Sequence, residues 1–224
     1  MATHIRDTTI IENATDICAA IAGGLESDPE TKHLAPLWDG LTAKGDALVS
    51  ARRVAERTLG RARVRLDVLD AKWDPEVGAF GRDVVDQSGG KRDQAPYTRF
   101  FKNVSPSAAQ DFGVDREVAQ GNAWLAELAR DPNEPLAQKW TPRLAAATEA
   151  LATGSTNRRK ALETLALQDT AEELFIADVN IEIDVLEGEL LKLFPGQLKR
   201  VAAFLSPTKP RTKRSRKKDD SGEE

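Results

Sequence analysis

The chain has 224 residues and a formal net charge of −4, and it is 40% apolar but only 5% aromatic. That length supports one large helical domain or two small ones, and a composition rich in Ala, Leu, Glu, Arg and Lys favours helix over strand. No run of residues approaches the ~20 apolar positions of a membrane span, and the single cysteine, Cys18, excludes an intramolecular disulfide.

The opening, MATHIRDTTIIENATD, lacks the basic-then-apolar order of a secretory leader, so a cytoplasmic protein is expected. A first helix is predicted over about 7–25, burying Ile10, Ala14, Ile17 and Ile21. It runs into the phrase ESDPETKHLAPLW (26–38), which returns at 129–140 as ARDPNEPLAQKW. Leu25, Asp28-Pro29, Leu34-Ala35, Trp38, Leu41 and Leu48 match Leu128, Asp131-Pro132, Leu136-Ala137, Trp140, Leu144 and Leu151 in order. Farther on, RRVAERTL from Arg52 parallels RRKALETL from Arg158. The recurrence points to an internal duplication.

Each Asp-Pro reads as a helix start, with Asp capping an orphan N–H and Pro in the first helical position. The tryptophan that follows, four residues after a leucine and on the same face, is expected to enter the core in each repeat: Trp38 and Trp140.

From Leu34 to Val84 apolar residues recur at three- and four-residue steps, which predicts one long amphipathic helix with a kink or restart at Asp74-Pro75. Residues 89–105 form an irregular joint where Tyr97, Phe100 and Phe101 alternate with Arg99 and Lys102. These aromatics are expected to plug the joint between units, with base stacking as the other use for them. Helices are then expected over about 106–129, 136–152 and 157–194, with a short closing helix after Pro195. VNIEIDV (179–185) alternates like a strand, but its flanks make helix the better reading. The predicted fold is therefore all-α, an elongated bundle of two related helical units, 1–88 and 106–206, followed by a disordered tail, 207–224.

Catalytic and metal chemistry find little support. Glu30-x-x-His33 supplies one half of a di-metal carboxylate motif, but the only other histidine, His4, has no matching glutamate. One cysteine and two distant histidines cannot close a zinc site. No Gly-x-Ser-x-Gly is present, and SGGKRD lacks the spacing of a phosphate-cradling loop. Cys18 reads as a buried small hydrophobe. No cofactor, no metal and no enzymatic activity are expected.

Charge patterning says more. Arg53, Arg57, Arg61 and Arg65 form a band along one helix face. Asp169 to Glu189 carries eight acids and no base, with Glu172, Glu173, Asp178 and Glu182 as the candidate pairing face. Opposite charge on helix faces selects partner and orientation, so these two faces are expected to meet, within one chain or between two. The tail adds Lys209, Arg211, Lys213, Arg214, Arg216, Lys217 and Lys218; with its four acids it is net +3, leaving −7 for the body. The expected function is a helical scaffold that self-associates, as a homo-oligomer, or holds a partner protein along its helix faces. The alternative is sequence-independent nucleic-acid association through the tail and the Arg band.

Overall fold

The computed structural model describes residues 3–6 and 10–208. The described residues contain no strand. Seven α-helices follow in order: α1 (Ile11–Glu26), α2 (Ala35–Gln87), α3 (Tyr97–Phe101), α4 (Pro106–Gln110), α5 (Val114–Leu128), α6 (Pro135–Leu193) and α7 (Leu198–Phe204). Short 3-10 turns occupy Lys32–Leu34 and Ser206–Thr208. The all-α expectation holds, including the helical state of VNIEIDV.

Several boundaries differ from the sequence reading. The Asp-Pro pairs are turns ahead of the helices rather than caps upon them. The Asp28 carboxylate accepts from the Glu30 N–H at 3.0 Å and Asp131 accepts from Asn133 at 3.3 Å, so each aspartate closes an Asx turn instead. The prolines that do sit inside the long helices are Pro75 and Pro142, and both helices run through them. ATGST does not interrupt α6, because Gly154 is buried where a larger residue would press on Leu66 and Leu69. The expected 106–129 helix is two, parted at Asp111–Gly113, with Ser105 capping α4 by accepting from the Ala108 N–H. Near the start of the chain, His4 and Ile5 are held against α6. The Asn180 side chain bonds both the N–H and the carbonyl of Ile5, and His4 reaches Asp184 at 2.8 Å. Pro207 and Thr208, assigned to the tail, belong to the last 3-10 turn, where the Thr208 hydroxyl donates to the Leu205 carbonyl.

Two compact units result, and each draws on both sequence halves. The first takes Met1–Arg53 with Leu167–Glu224, the second Val54–Ala166. In the first unit, α1, the start of α2 and the latter part of α6 enclose Ile21, Leu25, Trp38, Phe175, Val179 and Phe194, and α7 closes it with Val201. In the second, the rest of α2, α5 and the start of α6 enclose Trp73, Phe80, Trp124 and Trp140 with Tyr97, Phe100 and Phe101 of α3. Phe80 is the hub: the rings of Phe100, Phe101, Trp124 and Trp140 stand 5.2 to 5.6 Å from it. Two of the three indoles have their polar edges met, Trp124 donating to the Phe100 carbonyl and Trp140 to the Asp83 carboxylate, while the buried Trp73 N–H has no partner among the described residues.

The same recipe recurs in the two units. Trp38 is followed 35 positions later by buried Trp73, and Trp140 by buried Phe175 at the same spacing. The turn before each long helix is clamped by an arginine from a small helix. Arg200 of α7 binds Asp28 and Glu30 with its guanidinium over the Phe194 ring. Arg99 of α3 donates to the Glu127 carbonyl and binds Glu134, with its guanidinium over Phe100. The short helix also crosses the long one at a glycine each time. A methyl on Gly45 would sit 2.3 Å from the Thr15 hydroxyl, and one on Gly121 would sit 2.3 Å from the Thr148 hydroxyl.

Candidate interaction surfaces

In the second unit α2 and α6 run antiparallel: Glu76 pairs with Arg143 and, farther along, Gly154 meets Leu66 and Leu69. That register sets α2 residues 57–65 beside α6 residues 153–164, where no aromatic side chain fills the space. A cleft of about 900 Å³ opens there. Its floor is small and apolar, including Ala62, Ala150, Gly154 and Ala161, and its sides carry Arg61, Arg65 and Lys160 with the hydroxyls of Thr58, Thr153 and Thr164. Glu149 is the single acid among the lining residues, so the cleft is net positive. Among the described residues Arg57, Arg61, Arg65 and Lys160 make no ion pair. Val54, Val64 and Val68 are exposed on the same stretch of α2, and Arg61 lies seven positions, two helical turns, from both Val54 and Val68. Basic and apolar groups thus share one face.

The first unit carries the reverse pattern. On α6, Leu167, Leu174 and Ile181 are 69%, 62% and 61% exposed at seven-residue steps, with Val185 beside them. Helical geometry puts Asp178 and Glu182 on one side of this stripe and Glu173 and Asp184 on the other. The inner face of the same helix is fully used, since Phe175, Val179, Ile183 and Leu190 are buried. The outward leucines are therefore surplus to the core.

Within the first unit, bases of α2 pair with acids of α6 and α1. Arg52, which flanks the band, bridges Asp169 at 2.7 Å and Glu172 at 3.0 Å, and the two hydrogen bonds raise its pKa further. Lys44 takes Asp178 at 2.8 Å, and Arg53 reaches only Glu12, at 3.8 Å. Arg57, Arg61 and Arg65 lie in the second unit, whereas Glu172, Glu173, Asp178 and Glu182 lie in the first. Among the described residues Glu173 and Glu182 make no ion pair. Trp38 and Trp140 are core residues, as their spacing indicates. Tyr97, Phe100 and Phe101 are buried within the second unit, which removes them as base-stacking platforms. Lys209, Arg211, Lys213, Arg214, Arg216, Lys217 and Lys218 lie outside the described residues.

Two features escaped the sequence reading. Lys160 joins the arginines only through the antiparallel register, which no local pattern reveals. Glu117 is 1% exposed in the second unit, with neither carboxyl oxygen hydrogen-bonded to a donor. Burial, with the facing carboxyl of Asp70 and the charge of Asp74, pushes its pKa up to about 8. Glu117 lies on the buried series Gly121, Trp124 and Leu128 of α5, in line with the partly buried Val114, and an acid on an apolar series was the available signal. Enclosed as it is, this carboxyl faces protein, not an opening to substrate. Cys18 is wholly buried and its thiol is pushed up to about 12 by burial. Among the described residues no set of three or more His, Cys, Asp or Glu could hold a metal ion, and no helix is long and apolar enough to cross a membrane. No family model, curated protein or solved structure matches the chain.

Proposed function

We propose that this protein is a non-enzymatic helical scaffold, built by internal duplication and working in the cytoplasm, that self-associates through the outer faces of its long helices. The observation that carries the reading is the stripe Leu167, Leu174 and Ile181, three large apolar side chains more than 60% exposed at heptad spacing on a helix whose inner face is already occupied. Single exposed leucines are ordinary on a protein surface. Leucine and isoleucine repeated every seven residues form a seam of the kind that pairs helices. Burying each such side chain stabilises an assembly by about 1.5–3 kcal/mol. The duplication is supported by the equal tryptophan-to-aromatic spacing in α2 and α6 and by the paired roles of Arg99 and Arg200 at the two turns. The decisive experiment is light scattering across a concentration series. Wild-type chain is expected to gain mass with concentration, and Leu174→Glu with Ile181→Glu is expected to remain monomeric. A wild-type chain of constant monomer mass would refute the proposal.

A second reading, sequence-independent nucleic-acid binding, is favoured by one observation: Arg57, Arg61, Arg65 and Lys160 are exposed cations on one stretch of the second unit without ion-pair partners among the described residues. A mobility shift that weakens steeply between low and moderate salt, and is independent of sequence, would support it. The absence of any shift at low salt would dismiss it.

A further inference from the structure

We infer that the acidic, apolar stripe of α6 docks in the basic cleft between α2 and α6 in the second unit of a second copy of the chain. This rests on the self-association reading and names the two surfaces that meet. Each surface is incomplete in a complementary way. The cleft offers Arg61, Arg65 and Lys160 above a floor of small residues, with Val54, Val64 and Val68 at its side. The stripe offers Leu167, Leu174 and Ile181 between Glu173 and Glu182.

Charge decides which pairing wins. Two stripes set against each other would bring Glu173 and Glu182 of each copy into like-charge contact around a shared apolar seam. Two clefts set together would confront Arg61, Arg65 and Lys160 with their own kind. Like charges juxtaposed in an interface are costly, while opposite charges fix register and partner. Stripe in cleft is the pairing that satisfies both surfaces, and the small floor of Ala62, Ala150 and Gly154 lets another helix approach closely. Because stripe and cleft are different patches, the contact is heterologous. Assembly closes into a ring where the rotation between copies returns to the first, and otherwise continues from copy to copy.

The test uses the full chain and reciprocal charge reversal. Arg61→Glu with Arg65→Glu reverses the cleft, and Glu173→Arg with Glu182→Arg reverses the stripe. Circular dichroism establishes that both variants keep the helical fold. Each variant alone is expected to raise the apparent dissociation constant of assembly at least about tenfold. An equimolar mixture is expected to restore it, because the acidic cleft of one accepts the basic stripe of the other while the remaining wild-type cleft and stripe still fit. Assembly of the cleft variant at wild-type strength, or a mixture that stays dissociated, would overturn the inference. If Leu174→Glu abolishes assembly while the cleft variant assembles normally, the stripes pair by another route; self-association stands and this inference falls. If the wild-type chain is monomeric but shifts a DNA probe that the cleft variant does not, both fall and the cleft belongs to nucleic acid.

Discussion

Glu117 of α5 and Asp70 of α2 face each other carboxyl to carboxyl inside the second unit, with the charge of Asp74 close by. Two carboxylates so placed cannot both ionise cheaply, and Glu117, the buried one, keeps its proton to about pH 8. In the unfolded chain it loses that proton near the ordinary glutamate value of 4.5. Between these values the folded state holds the extra proton, so this group makes stability fall as pH rises from about 4.5 to about 8.

Glu117→Gln should therefore flatten that slope and stabilise the chain at pH 8 and above, by an amount on the order of 1–3 kcal/mol. Urea unfolding of both proteins at pH 5 and pH 8.5 measures it. Parallel stability curves for wild type and variant would show that the buried carboxyl is not the source.

Gly121→Val tests the closest crossing in the second unit. A first side-chain carbon there would stand 2.3 Å from the Thr148 hydroxyl and 2.7 Å from the Trp73 ring, both inside a filled core. Overpacking of this kind costs about 1–3 kcal/mol, which for a chain of this size lowers Tm by several degrees. Gly60→Val, where nothing lies within 4 Å of the added carbon, is the control and should lose no stability, since valine is the better helix former.

The arginine clamp of the second unit gives a third expectation. Arg99→Ala leaves Glu134 without its 2.8 Å partner and the Glu127 carbonyl without its donor, and should cost about 1–3 kcal/mol. Hydrogen exchange at the turn before α6 should quicken before that of the Phe80 cluster. Uniform protection across the unit would mean that Arg99 does not hold the turn.

Cys18 supplies a fourth. It is fully buried and its thiol titrates near 12, so it should resist a thiol-specific reagent at pH 8 until denaturant opens the first unit. Reaction at the rate of a free thiol in native buffer would contradict the burial.

Helices were legible in the sequence wherever one apolar face was continuous. The three- and four-residue steps from Leu34 to Val84 gave α2 almost to its ends, and the matched spacing put Trp38 and Trp140 in cores. What stayed hidden depends on partners. A three-four rhythm says that a face is buried but not against which helix, so nothing local reveals that α2 spends its first part with α1 and its later part with α5. The arginine band was visible, but its neighbour Lys160 follows from the antiparallel register. The gap expected between 152 and 157 is helical, and there Gly154 permits a close approach of α6 to Leu66 and Leu69.

The two glycine crossings are not equivalent. In the first unit the long helix gives way, at Gly45, to a threonine of the short one; in the second the short helix gives way, at Gly121, to a threonine of the long one. Exchanging α1 and α5 would crowd Thr15 toward Thr148 at one junction and leave Gly121 opposite Gly45, a hollow, at the other. The two lead helices are not interchangeable parts, and a chain with them exchanged should melt well below the original.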